Sequence, residues 1–358
     1  MFGDRLQLAR KKAGLSLRGL ADAMGGQVTP QAIGKYERGE MMPGSTVLIA
    51  LTKALDVSME FLAAPLEVRL GAIDFRKKSG TSARERAHVE ALVLERVERY
   101  LLIEEVLELK SAAWEPPFAP KQIGTLEAAE ALAMELRTVW KLGIDPIPDV
   151  TELLEEKGIK VMHLELPDSV SGLTCMIERE GVAAVPVVVV NAHHGIERRR
   201  LTLVHELAHR LMIVEGVDEE KAANRFASAF LMPAPHVRDQ VGRHRAGFGV
   251  AEIMVTKRIY AVSAAALLVR FRDLEIITQQ TMVYAFQSFA RTWRKTEPQP
   301  IVTAGDHPRE QPQRFQRLCY RALAERLITI SKAAELLRKS VAAIDEEMRG
   351  ATVTDSRQ

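Results

Sequence analysis

The chain has 358 residues, enough for two or three domains with a sizeable hydrophobic core. Its composition, 47% hydrophobic and 27% charged, is ordinary for a globular protein, and a net charge of +2 is too small to indicate a partner by itself. The two cysteines, Cys175 and Cys319, lie far apart and form no C-x-x-C pair, so neither a disulfide framework nor a cysteine zinc site is indicated. The sequence has no signal-peptide core and no apolar run of membrane-spanning length, so we expect a cytoplasmic protein without a membrane partner.

Residues 4–62 have the pattern of five short helices separated by glycine-containing turns. Ser16 is a suitable N-cap for the second helix, and Ser45 for the fourth. Thr29 is placed to cap the third helix, where Pro30 occupies the first position and loses no hydrogen bond. Two short helices joined by a glycine turn predict a helix-turn-helix.

The third helix, TPQAIGKYER, resembles the recognition helix of Cro/C1-type (xenobiotic-response-element-like) DNA-binding domains. Leu20-Ala21, Ile33, Tyr36-Glu37, Gly39 and Pro43 also fall where that family expects them. The resemblance implies binding to double-stranded DNA, with a homodimer as a possible arrangement on two half-sites. We expect base-edge contacts from Gln31 and Lys35, and phosphate contacts from Ser16, Arg18 and Thr29. A helix-turn-helix can also serve as a protein-binding module, and this alternative stays open.

The middle of the chain begins with a long helical pattern from residue 82 to residue 111, whose expected role is a spacer or a dimer helix. Apolar, β-branched runs then predict three strands near residues 159–164, 170–177 and 185–191. Arg198, Arg199 and Arg200 follow, and we expect them to be a solvated helix start.

The next helix carries the sequence His205-Glu206-Leu207-Ala208-His209, an H-E-x-x-H pattern. Positions i and i+4 lie on one helix face, so the two imidazoles can hold one zinc ion, with Glu206 beside them as general base. A buried helix with two hydrogen-bonded histidines is the alternative interpretation. The strand-like runs before this helix and the carboxylate-bearing helix after it favour the zinc site.

A catalytic zinc usually has three protein ligands and a water molecule, and the following helix offers Glu219 and Glu220, with Glu215 as a weaker candidate. Together with HELAH, the pattern E-x-x-A-N-x-F-A-x-x-F-L-M-P resembles the ImmA/IrrE-type zinc metallopeptidases. That resemblance implies Glu220 as the third ligand and a zincin-like fold. Asn224 is spaced to orient a ligand histidine.

These patterns predict an α+β, predominantly α protein with an all-α helix-turn-helix domain and a zincin-like domain that contains a small β-sheet. We expect a DNA-binding domain at 1–65, a helical connector at 66–120, a metallopeptidase domain at 121–290, and helices with a disordered tail at 291–358. Residues 323–337 resemble a second, degenerate helix-turn-helix, or form a packing or dimer element.

The predicted function is that of a DNA-binding transcription regulator fused to a zinc metalloendopeptidase. Family resemblance implies a regulatory protein substrate, often a Cro/C1-type repressor, cleaved at one site. The alternative is a non-proteolytic DNA-binding regulator or antitoxin, in which the peptidase-like domain acts as a sensor or dimerisation body.

Overall fold

The computed structural model describes residues 2–71, 82–109, 113–167, 170–302 and 310–349. The tail from residue 350, for which disorder is expected, lies outside these residues. The described part forms 17 helices and six strands, which confirms a predominantly helical α+β fold. None of its helices is long and apolar enough to span a bilayer.

The elements are numbered in chain order. The helices are α1 Phe2–Lys12, α2 Leu17–Ala23, α3 Pro30–Glu37, α4 Ser45–Leu55, α5 Met59–Ala63, α6 Ala83–Val106, α7 Leu126–Val139, α8 Val150–Glu156, α9 Ile196–Leu211, α10 Glu219–Leu231, α11 Ala234–Val241, α12 Val250–Tyr260, α13 Ala264–Asp273, α14 Gln279–Gln287, α15 Arg314–Ala324, α16 Ile330–Leu337 and α17 Val341–Met348. The strands are β1 Val68–Leu70, β2 Lys121–Ile123, β3 Lys160–Leu164, β4 Gly172–Arg179, β5 Val182–Asn191 and β6 Met212–Val214.

The chain divides into two compact units, each built from segments that are not contiguous in the sequence. The first unit comprises Met1–Ala112, Met176–Val185 and Gln313–Gln358. The second comprises Ala113–Cys175 and Pro186–Pro312. The four domain boundaries predicted from the sequence therefore stay a prediction, and each unit is described by itself.

The start of the first unit is a bundle of five short helices with its own core. Leu6, Leu20, Ile33 and Leu51 are fully buried there. Side-chain oxygens of Ser16 and Thr29 cap α2 and α3, as predicted, whereas α4 has Gly44 rather than Ser45 as its N-cap. The first turn of α1 lies so close to the end of α3 that a Cβ on Gly3 would lie 2.3 Å from the Glu37 carbonyl oxygen. Arg10 also binds the Glu37 carboxylate through Nε and Nη2, at 2.5 and 2.8 Å.

The long helix α6 is part of the core of the first unit. It begins with a capping box in which Ser82 and Glu85 satisfy each other's backbone N–H groups. Its Tyr100, Ile103 and Leu107 pack against apolar residues of α15 and α16, Leu318, Cys319, Ala322 and Leu336. Residues 323–337 therefore have the packing role that was one of the two expected for them.

In the second unit the last half of β5 pairs in parallel with β3, with Lys160 opposite Val187 and Leu164 opposite Asn191. The first half of β4 follows on the other side of β5. A separate two-stranded parallel sheet joins β2 to β6. In the first unit β1 pairs antiparallel with the end of β4. The three predicted strands are observed, and the three-residue strands β1, β2 and β6 were not predicted.

The core of the second unit surrounds α9 and α10. Helix α10 packs against both α7 and α9. Leu203, Val204, Phe226 and Phe230 are fully buried, so the two helices that follow the sheet are held along most of their length. This packing gives the polar side chains between α9 and α10 a rigid support.

The arginines at the start of α9 correct one expectation. Only Arg198 is exposed, whereas Arg199 and Arg200 are buried. Arg200 forms an ion pair with the fully buried Glu310. The Glu310 carboxylate also accepts hydrogen bonds from the backbone N–H groups of Val150 and Thr151, at 2.9 and 3.0 Å. Glu310 thus neutralises the charge of Arg200 on α9. It also accepts from two N–H groups at the start of α8, which have no partners within the helix.

Candidate metal centre and DNA-binding surface

Helix α9 presents its polar residues to one side of an otherwise apolar helix. One side of the helix is buried in the core and includes Leu203, Val204, Leu207 and Ala208. The other side, with His205 and His209, faces α10. The helix ends at Leu211, and the chain returns through β6 and a turn. Asp218 then caps α10 by accepting a hydrogen bond from the Lys221 N–H at 2.8 Å. This short return brings the first turn of α10 beside the two histidines.

The predicted ligands converge at this point. The Nε2 atoms of His205 and His209 are 3.2 Å apart. The Glu220 carboxylate oxygens lie 3.4 Å from His205 Nε2 and 3.9 Å from His209 Nε2. Among the described residues, these three side chains form the group whose ligand atoms lie close enough together to hold a metal ion. Neither Glu219 nor Glu215 belongs to that group.

The three side chains fit a zinc ion. Ligands at about 2.0–2.1 Å in tetrahedral geometry are separated from one another by roughly 3.3–3.4 Å. The observed separations of 3.2, 3.4 and 3.9 Å are close to that value. Two imidazoles and one carboxylate are also a common donor set of catalytic zinc sites. The Glu220 side chain is 46% exposed, so the centre opens to solvent and a substrate can approach it.

The opposite nitrogen of each histidine ring also has a partner on α10. His205 Nδ1 lies 3.2 Å from Asn224 Oδ1, and His209 Nδ1 lies 3.1 Å from Glu219 Oε1. A proton on each Nδ1 satisfies these acceptors and leaves both Nε2 atoms free to bind a metal. Sequence reasoning found Asn224 but considered Glu219 only as a competing ligand. Successive helix residues point about 100° apart, which explains how Glu219 and Glu220 reach opposite nitrogens of His209.

The electrostatic surroundings favour the neutral form of His209. Burial lowers the pKa of His209, and the neighbouring His205 lowers it further, while Glu219 and Glu220 oppose the shift. A histidine must be neutral at the ligating nitrogen to bind a metal, so a lowered pKa extends binding to lower pH.

The start of strand β4 is packed against the side of α9 that carries Thr202 and Glu206. A Cβ on Gly172 would lie 2.5 Å from Thr202 Cγ2 and 3.6 Å from Glu206 Cγ, so this approach requires glycine. Arg198 donates to Ser171 Oγ at 2.8 Å, and Arg210 donates to Thr174 Oγ1 at 2.9 Å, one on each side of Gly172. Glu206 is 9% exposed and lies beneath the start of the strand.

The helix-turn-helix in the first unit consists of α2 and α3, joined by a turn with positive φ angles at Gly25 and Gly26. All five side chains predicted to contact DNA are exposed, Ser16, Arg18, Thr29, Gln31 and Lys35. The hydroxyl oxygens of Ser16 and Thr29 accept capping bonds from Gly19 N–H and Ala32 N–H. Each hydroxyl hydrogen remains able to donate to a phosphate, because one oxygen can accept and donate at once.

Helices α15 to α17 form a second array of short helices in the first unit. Its last helix carries three successive carboxylates, Asp345, Glu346 and Glu347. Lys339 and Arg349 form ion pairs with Glu347 and Asp345, respectively.

Comparison with known families agrees with both motifs. Residues 6–62 match the family described as helix-turn-helix, and residues 154–272 match a peptidase family, M78, described as IrrE N-terminal-like domain. The second match includes His205, His209, Glu220 and Asn224. The chain thus joins a region similar to helix-turn-helix DNA-binding domains to a region similar to IrrE-like peptidase domains, as predicted from the sequence. No curated protein and no solved structure gave a significant match.

Proposed function

We propose that this protein is a DNA-binding transcription regulator that is also a zinc-dependent endopeptidase acting on a repressor-type protein. The main support is the convergence of His205 Nε2, His209 Nε2 and the Glu220 carboxylate at separations suited to tetrahedral zinc. Glu206 lies between the two histidines in the sequence and supplies the general base that a zinc peptidase needs in addition to its three metal ligands.

The residues of the chain have distinct roles in this proposal. His205, His209 and Glu220 hold the zinc ion, which when bound polarises the scissile carbonyl and makes water a better nucleophile. Glu206 accepts the proton of the attacking water and delivers it to the leaving amine. Its low exposure beneath β4 keeps bulk water from competing for that proton. Asn224 and Glu219 hold the imidazole rings in the orientation that ligation needs.

The substrate class follows from the family resemblance and from the DNA-binding domain. A protein that both binds DNA and cleaves peptide bonds is expected to act on another regulator. The substrate would be a separate Cro/C1-type repressor or the N-terminal part of this chain. Strand β4 is packed over α9 at Glu206, and we expect it to help align an extended substrate. At the DNA, Gln31 and Lys35 are expected to reach base edges, with Ser16, Arg18 and Thr29 at phosphates.

Zinc content tests this function. Purified wild-type protein should contain about one zinc per chain, and His209→Ala or Glu220→Ala should lower the content to roughly a tenth or less, because each removes one of three ligands. Elemental analysis after dialysis gives the stoichiometry, and co-expression with a Cro/C1-type repressor reports cleavage. Wild-type protein without metal, or with metal but without cleavage of any repressor tested, would support the non-proteolytic regulator instead.

The residues that orient the histidines make a second prediction. Asn224→Ala and Glu219→Ala should each weaken zinc affinity by about 10- to 100-fold, with the larger loss for Glu219 because its acceptor is charged. Competition against a fluorescent chelator measures the affinity. Lys221→Ala is the matched control, since Lys221 is exposed on the same helix. Unchanged affinity in both variants would remove these two residues from the proposed site.

A further inference from the structure

A pocket of about 700 Å³ lies within the first unit, away from any residue of the metal centre. Its walls come from α1, from α5 and the segment after it, from α6 and from α16. Pockets of roughly 300–1,000 Å³ are typical of sites for small molecules. The pocket therefore borders the DNA-binding helices, the long connector helix and the C-terminal helices at once.

Two cations from two helices contact one carboxylate in this pocket, and a third cation lies one helical turn from that carboxylate. Lys12 Nζ at the end of α1 lies 3.2 Å from Glu95 Oε1 on α6. Arg338, at the C-cap of α16, donates to the same oxygen. Arg99 lies one turn after Glu95 and donates through Nη1 to the Leu336 carbonyl at 2.6 Å. These four side chains together carry an excess of two positive charges.

The other carboxylates of the pocket do not remove this excess. Glu98 is bound by Arg5, Glu105 by Arg179, and Glu335 by Lys332. The remaining acidic lining residues, Asp56, Glu60 and Glu67, are exposed. The excess charge at Lys12, Arg99 and Arg338 is thus local.

These cations are also partly removed from water. Glu95 is 8% exposed, and the Lys12 side chain is 17% exposed. Burial lowers the pKa of Lys12 and of Arg99; Glu95 opposes this shift, and the positive charge of Arg338 adds to it. Arg99 Nε and Glu95 Oε2 are buried without a hydrogen-bond partner in the described part of the chain. A buried donor without a partner costs free energy, and an anion that accepts a hydrogen bond from Arg99 Nε would relieve that cost.

Arg338 lies at the C-cap of α16, with a φ of 53° in the left-handed region. Its guanidinium group donates to Glu95. At 46% side-chain exposure, Arg338 still reaches solvent and a ligand.

We propose that a small phosphate-bearing molecule binds in this pocket, with its phosphate held by Lys12, Arg99 and Arg338. Two guanidinium groups and one ammonium group from different helices suit the oxygens of a tetrahedral phosphate. Phe61, Leu55 and Leu102 provide apolar wall for the rest of the molecule. The exposed Asp56, Glu60 and Glu67 disfavour an extended polyanion such as DNA. Because Lys12 belongs to the DNA-binding helices, the ligand would tie that domain to α6 and α16.

Thermal unfolding of the full-length protein with inorganic phosphate and pyrophosphate, at ionic strength matched with sodium chloride, tests this site. We expect a saturable rise in melting temperature with both anions, because a ligand that binds the folded state stabilises it. Pyrophosphate also chelates zinc, so the same rise must occur in Glu220→Ala, which lacks a ligand of the metal centre. A rise in the Glu220→Ala protein would not depend on the zinc site, so phosphate binding is tested separately from the proposed peptidase activity.

Variants then locate the binding. Arg338→Gln and Lys12→Gln should each raise the apparent dissociation constant roughly tenfold or more, measured against each variant's own melting temperature without ligand. Arg321→Gln is the matched control, since Arg321 pairs with Glu325 on the exposed face of α15 and does not line the pocket. No saturable rise in the wild type, or an unchanged dissociation constant in both Arg338→Gln and Lys12→Gln, would overturn the proposal.

Discussion

Glu206→Gln should abolish peptide cleavage while leaving zinc bound. The amide has nearly the shape of the carboxylate but cannot accept a proton, and loss of a positioned general base typically lowers a rate by about 10²- to 10⁴-fold. The zinc ligands His205, His209 and Glu220 are untouched, so elemental analysis should give the same stoichiometry as in the wild type. The rate is measured on a repressor that the wild-type protein cleaves.

Two further variants make this result specific. His209→Ala should lose both metal and cleavage, which separates loss of the base from loss of the metal. Glu215→Gln should keep both, because Glu215 is an exposed carboxylate just before α10 and is outside the group of converging ligands. Cleavage by Glu206→Gln at the wild-type rate would show that another group accepts the proton.

Glu310→Ala should lower the free energy of unfolding of the second unit by about 3–5 kcal/mol, the usual loss when one partner of a buried ion pair is removed. Arg200 is 1% exposed and would keep its charge without its carboxylate partner. The Val150 and Thr151 N–H groups and the Thr151 hydroxyl would lose their acceptor as well. Urea denaturation followed by circular dichroism measures the change.

The control for this experiment is an exposed ion pair in the same unit. Lys121 and Glu135 are 43% and 44% exposed in their side chains, so Glu135→Ala should cost no more than about 1 kcal/mol. Equal losses in Glu310→Ala and Glu135→Ala would mean that the buried pair adds nothing beyond a surface pair.

Features that depend on local sequence were predicted well. The apolar spacing around His205 and His209 indicated a helix with two imidazoles on one face. The β-branched run that ends at Asn191 indicated β5. In both cases a few neighbouring residues determine the backbone conformation, so periodicity alone was informative. Glu220 as third ligand came from the family resemblance and stays a prediction.

Features that depend on distant residues were not predicted. The run Arg198-Arg199-Arg200 looked like a solvated helix start because nothing nearby in sequence shows that Glu310 neutralises Arg200. The strands β1, β2 and β6 have three residues each, too few for a periodic pattern. Glu219 was considered for the same role as its neighbour Glu220, since a sequence does not show which nitrogen of His209 each carboxylate meets.

The first unit draws on both ends of the chain, and this has a consequence for biosynthesis. Its helix α6 buries Tyr100, Ile103 and Leu107 against residues that the ribosome adds more than 200 positions later. At about 5–20 residues per second, that interval lasts on the order of 10–40 s. During that time the nascent helix α6 exposes an apolar face that chaperones or other chains can reach. A truncated chain that ends before α15 would leave this apolar face of α6 exposed to solvent.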